Sequence, residues 1–257
     1  MITIKTKEDI DILREGGKRH AFILKELSAM VKPGLVVQIL EDKARELIEE
    51  GGDRSAFLNY TPVGSKRPYP AVLCVSINDE IVHGIPNENE KVLKEGDIVS
   101  LDLGLVHKGL ITDAAITVPV GKISDELETL LELTKKAMYA GIKEAKGGRR
   151  VGDISNAVER VAIPKGYGVV RELSGHGVGY HVHEDPYVPN FGEAGKGSVL
   201  KPGMVIAIEP MFNLGTEEIY LDDDGYTYRT ADGKPSAHFE HTVVITKSGA
   251  EILTQYI

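Results

Sequence analysis

A chain of 257 residues, 42% of them hydrophobic, is long enough for one large domain or two small ones and can bury most of its apolar surface. The net charge of −9 gives no general attraction to nucleic acid or anionic lipid, and no stretch approaches the roughly 20 apolar residues of a membrane helix. A single cysteine, Cys74, excludes an internal disulfide, and the N-terminus is charged from Lys5 onward without the apolar centre of a signal peptide, so a cytoplasmic protein is expected.

In chain order, Ile10, Leu13, Ile23, Leu24 and Leu27 fall at helical spacing and predict a helix over 8–30, stopped at Pro33-Gly34. A second helix is predicted over 37–50, ending at Gly51-Gly52, and the Pro- and Gly-containing stretch 61–70 reads as a loop. Strand-like runs follow at 71–77, 97–106 and 110–120, the last two joined by a turn at Lys108-Gly109 into a candidate hairpin. Helical patterns return at 124–145 and 152–163, then strand-like runs at 167–173, 203–213, 217–229 and 238–247. Two helices followed by strands, twice over, suggest an internal duplication.

The duplication is visible in the residues. LKEGDIVSLD (93–102) and LKPGMVIAIE (200–209) share Leu, Lys and Gly in register, match apolar positions, and each end in a carboxylate, Asp102 or Glu209. One domain of two related halves, about 1–120 and 121–257, is expected, with sheets covered by helices and any site between the halves.

Acids embedded in apolar strands are costly unless a cation or several donors accompany them. Taken singly, Asp102, Asp113, Glu209 and Glu240 each have a bland reading as a solvated strand end or surface acid. As a set, with two of them matched across a repeat, they favour a metal. If 97–120 is a hairpin, Asp102 and Asp113 face each other across it. His176 lies in SGHGVG, where flanking glycines permit a tight turn, and His83 in IVHGIP holds the analogous place in the first half. Four acids and one imidazole suit a pair of divalent ions better than one structural zinc. Neither a GxSxG elbow, a phosphate-binding loop nor an HExxH motif is present, and Cys74, in the apolar run VLCVSI, reads as a small core residue.

The segments YPAVLCVSINDEIVHGIP, SLDLG, ITDAA, SGHGVG, AIEPM and AHFEHT, in this order and spacing, resemble the type I methionine aminopeptidases of the pita-bread metallopeptidase family over essentially the whole chain. The resemblance implies an α+β pita-bread fold, a pseudo-twofold duplication with antiparallel sheet covered by helices. It implies that Asp102, Asp113, His176, Glu209 and Glu240 bind two divalent ions (cobalt, manganese, iron or zinc), with Asp113 and Glu240 shared between them. It assigns His83 and His183 to substrate and intermediate, Glu209 to proton transfer, and Tyr69, Cys74 and Tyr226 to the side-chain pocket. The implied activity is removal of the initiator methionine from nascent polypeptides before a small second residue, by a metal-activated water. A transient ribosome contact, a monomer, and no membrane or specific nucleic-acid partner are expected. Two alternatives remain at this stage: a Xaa-Pro aminopeptidase or dipeptidase of the same fold, and a catalytically inactive binding protein that keeps it.

Overall fold

The computed structural model describes residues 2–62 and 64–255; Val63, within the expected 61–70 loop, and the chain ends Met1, Tyr256 and Ile257 lie outside the described residues. The first helix, α1 (Lys7–Met30), begins at Thr6, whose hydroxyl accepts from Asp9 N while the Asp9 carboxylate accepts from Thr6 N. This reciprocal cap satisfies donors the first turn leaves free. Leu13, His20, Ile23, Leu24 and Leu27 form its buried face. Leu24 is fully buried, so Leu24→Ala should cost about 2–5 kcal/mol.

Then come α2 (Gln38–Glu50), β1 (Arg54–Ser55), β2 (Cys74–Ile77) and β3 (Glu80–Val82), followed by the hairpin β4 (Ile98–His107) and β5 (Leu110–Pro119). Lys108 and Gly109 both have positive φ, 47° and 88°, as a two-residue turn of this hand requires. The turn pairs Asp102 with Ala115 and Gly104 with Asp113. The two aspartates therefore share a face diagonally, not directly opposite as expected, and the positions they do face are small. Asp102 also lies in the middle of β4, since the strand continues through Leu-Gly-Leu-Val.

The second half runs α3 (Asp125–Glu144), α4 (Val151–Ala162), a single 3₁₀ turn, β6 (Gly168–Val169), β7 (Ser174–Gly177), β8 (Glu184–Pro189), β9 (Val205–Ile208), β10 (Met211–Asn213), β11 (Ile219–Leu221), β12 (Tyr228–Thr230), β13 (Ser236–His238), β14 (His241–Ile245) and β15 (Ala250–Ile252). Three expected strands are broken in two. The 203–213 run parts at Glu209-Pro210, where proline has no N–H for the ladder. The 238–247 run parts at Phe239-Glu240, where Glu240 N leaves its own sheet to donate to Ala115 O at 2.9 Å. The 217–229 run parts at the Asp222–Gly225 turn, and of the 167–173 run only Gly168–Val169 is strand.

Every strand ladder is antiparallel. In one main sheet β4 joins β5 on one side to β2 and β1 on the other; the second has the order β15-β14-β9-β7-β8. The sheets meet where Thr242 accepts from Asp113 N at 2.8 Å and donates to Asp113 O at 2.7 Å. Apolar residues of both sheets and all four helices form one continuous core. The acids lie where β5 and the 236–245 segment cross.

Candidate metal centre

One cavity of about 140 Å³ is lined by Asp102, Asp113, His176, Glu209 and Glu240 together with His83, His183, Tyr69, Cys74 and Tyr226. Every residue singled out from the sequence thus reaches a single space, although they come from eight separate segments of the chain. An engineered cavity of about 150 Å³ accommodates benzene, so this space suits one side chain.

Asp102 projects from β4 and Asp113 from β5; His176 is on β7, Glu209 follows β9, and Glu240 sits between β13 and β14. Candidate ligand atoms of Asp113, His176 and Glu240 all lie within 4.8 Å of one another. Asp102 Oδ1, Asp113 Oδ1, Glu209 Oε1 and Glu240 Oε1 are buried and accept no hydrogen bond among the described residues. Burial raises the Asp102 carboxyl to about 7. Burial, then the charge of Asp102, lifts Asp113 far above the ordinary range, and Glu209 and Glu240 rise by burial and by repulsion from their acidic neighbours. Four acids in one dry space cannot all ionise without a cation.

The histidine makes the same point. His176 Nδ1 lies 3.0 Å from the carbonyl oxygen of Gly177, so this nitrogen must be the donor. Burial drops its pKa to about 3, keeping the ring neutral. Its Nε2 lone pair then faces Glu209 Oε1 at 3.4 Å, an acceptor against an acceptor once Glu209 is ionised. A divalent cation between them removes that conflict, and the oxygen-rich donor set with one imidazole fits such an ion.

The cavity wall divides by polarity. Tyr69, Ala71, Cys74, Ile85 and Tyr226 form a small apolar cluster with Phe57 against it. Tyr69 donates its hydroxyl to Gly84 O at 3.0 Å, and Tyr226 donates to Arg67 O, so both phenols satisfy their polar ends and turn ring faces to the space. The thiol of Cys74 is pushed up by burial, which keeps it a neutral packing group. His83 has φ +60°, uncommon outside glycine, and burial lowers its pKa to about 4. His183 is exposed at the cavity mouth, with Tyr60 Oη 3.0 Å from its Nδ1 and the His176 ring 4.4 Å away.

Sequence reasoning passed over several residues here. His238 is buried with neither ring nitrogen hydrogen-bonded among the described residues, and its Nε2 is 3.7 Å from Glu209 Oε2. Its place two residues before Glu240 in AHFEHT was the available signal. Phe57 and Tyr60 enter from the segment before the Pro-rich loop, where no pattern marked them.

The pattern of metallopeptidase family M24 matches residues 11–247. The chain is 47% identical over 256 residues to a methionine aminopeptidase of Aquifex aeolicus, covering 99% of both, and 44% identical over 255 residues to methionine aminopeptidase 1 of Bacillus subtilis, covering 99% of this chain and 100% of the other. The crystal structure of the methionine aminopeptidase from Thermotoga maritima superposes with a TM-score of 0.94 at 41% identity, over 99% of this chain and 100% of that one. That likeness gives the architecture, antiparallel sheets flanked by helices, as the pita-bread fold. The chain belongs to metallopeptidase family M24, within its methionine aminopeptidases.

Proposed function

We propose that this protein removes the N-terminal methionine from nascent polypeptides whose second residue is small. Asp102, Asp113, His176, Glu209 and Glu240 would hold two divalent ions in one catalytic domain of two related halves, with Asp113 and Glu240 shared. Manganese, iron, cobalt and zinc all suit this donor set. The observation that carries the reading is the convergence of four buried, unsatisfied carboxylate oxygens with an imidazole lone pair beside an apolar space for one side chain.

Ions bound there supply the Lewis acidity that ionises water near neutral pH and polarises the scissile carbonyl. The protein's own residues do the rest. Tyr69, Cys74 and Tyr226 take the methionine side chain, whose burial is worth about 1.5–3 kcal/mol. The loaded five-ligand centre would also hold the free α-amine of the substrate, which restricts cleavage to chain ends. His183 acts with the hydrogen on Nε2, which requires the Tyr60 hydroxyl, 3.0 Å from Nδ1, to be the donor to that nitrogen; Nε2 then donates to the carbonyl oxygen as charge develops. His83, neutral because its pKa is near 4, hydrogen-bonds near the scissile nitrogen. Glu209 takes up a proton from water and returns it to the departing amine.

Hydrolysis of Met-Ala-Ser compared with Xaa-Pro peptides tests the reading. Cleavage of Met-Ala-Ser that EDTA abolishes and added manganese restores is expected. Cleavage that ignores EDTA, or none with any divalent ion, would overturn it. The Xaa-Pro alternative is not favoured, because relatives 44–47% identical over the full length of both chains are methionine aminopeptidases. Among the described residues, no helix is long and apolar enough to cross a membrane. A monomer in the cytoplasm with a transient ribosome contact completes the proposal.

A further inference from the structure

We propose that the buried Lys5–Glu184 ion pair is a positioning device through which the N-terminal segment clamps the turn that carries His183 into the substrate cavity. The inference rests on the role given to His183 above.

Lys5 Nζ lies 2.6 Å from Glu184 Oε2, with the two side chains 0% and 3% exposed. Thr3 donates its hydroxyl to the same carboxylate oxygen and accepts from Lys5 Nζ. The other oxygen, Oε1, accepts from the backbone N–H of Tyr180 at 2.6 Å and of His181 at 3.1 Å. Glu184 therefore faces two ways, one oxygen to the N-terminal segment and the other to the turn ahead of His183. Lys5 N also donates to Gly203 O at 2.8 Å, anchoring the segment on the loop before β9.

The contacts around this pair leave the turn little freedom. Gly179 has φ +139°, and a Cβ there would come within 2.4 Å of Lys5 Cε. Lys5 Nζ sits 4.8 Å from the centroid of the Tyr180 ring, and the Tyr180 hydroxyl donates to Asp9 at 2.6 Å. Ile2 bridges to Asp185 on the far side of His183. Residues 2–9 thus hold the 179–185 turn on both sides of the one histidine that reaches the cavity from it.

A buried ion pair adds little net stability against an apolar pair of the same volume. Two opposed sets of directed hydrogen bonds, however, fix a backbone in a way apolar packing does not. A misplacement of about 1 Å in a catalytic group can cost on the order of 10²-fold in rate.

The test is a double-mutant cycle on the metal-loaded enzyme with Met-Ala-Ser, recording kcat, KM, metal content and Tm. Lys5→Met should lower kcat by about 10–100-fold with metal content unchanged. In a His183→Ala background the same substitution should change kcat by less than about twofold, because the group it positions is gone. An equal fall in both backgrounds, or an unchanged kcat in the parent, would overturn the proposal. Should Lys5→Met not fold, the near-isosteric Glu184→Gln is expected to show the same dependence on His183. If His183→Ala by itself leaves kcat intact, the role given to His183 fails and this inference fails with it.

Discussion

Two sets of carboxylates are buried in this protein, and they are treated in opposite ways. Glu41, 1% exposed, accepts from Val72 N at 3.0 Å, Leu73 N at 3.0 Å and Arg45 at 2.5 Å. Glu80, 4% exposed, accepts from Lys91, Arg229 and Ile77 N at 2.7, 2.8 and 3.0 Å. Asp102, Asp113, Glu209 and Glu240 each leave a buried oxygen without a partner among the described residues, and they line one cavity. Burial alone therefore marks nothing about function. The first set is matched by donors within the fold and acts as a brace between segments; the second is matched only if something from outside the chain arrives.

The comparison can be broken by substitution, beginning with the largest effect. Glu240→Ala should lower kcat/KM by at least about 10³-fold with loss of bound metal, while the metal-free variant stays as stable as the parent or gains stability. A variant that keeps its metal and its rate would remove Glu240 from the unpaired set. His83→Ala should cost about 10²-fold in kcat with metal content intact; loss of metal in that variant would make His83 a ligand. Glu41→Ala should do the reverse of both. It strands two buried N–H groups and lowers stability by about 3 kcal/mol in chemical denaturation, leaving metal stoichiometry of the folded protein unchanged. A metal defect there would erase the distinction between the two sets.

The comparison also has a dependence on pH. The Asp102 carboxyl is near 7 in the folded, metal-free protein and near 4 when unfolded. Its contribution to stability is present in full below about pH 4 and is lost as pH rises through 7. Metal-free Asp102→Asn escapes that loss, so its stability relative to the parent should climb between pH 4.5 and 7.5 in denaturant titrations. With metal bound the variant should instead be the weaker protein. A relative stability that is flat with pH would show that Asp102 is not desolvated as described.

The sequence was most legible where one element decides the outcome. The amphipathic faces and stop signals of α1 and α2 place those helices within a residue or two, and Lys108-Gly109 announces its turn. Reading failed where two elements compete for the same backbone. Glu209 and Glu240 look like continuations of strands, but Pro210 interrupts one ladder and a bond from Glu240 N to Ala115 O diverts the other. The diagonal offset of Asp102 and Asp113 follows from the turn and not from apolar patterning: a two-residue turn at Lys108-Gly109 sets His107 opposite Leu110 and hence Asp102 opposite Ala115. The convergence of acids from β4, β5, β9 and the 239–240 bend was suggested by the repeat and by the family resemblance. His238 stayed hidden because a lone histidine in a strand-like run is most often ordinary packing, and only its 3.7 Å approach to Glu209 sets it apart.

The central claim is that the unpaired carboxylates exist to hold cations. It is tested most directly by calorimetric titration of the EDTA-stripped protein with manganese at neutral pH, beside Asp113→Ala. The account predicts two ions taken up per parent chain and loss of both sites in the variant, because Asp113 is shared. Equal uptake by parent and variant, or no uptake by the parent, would contradict it.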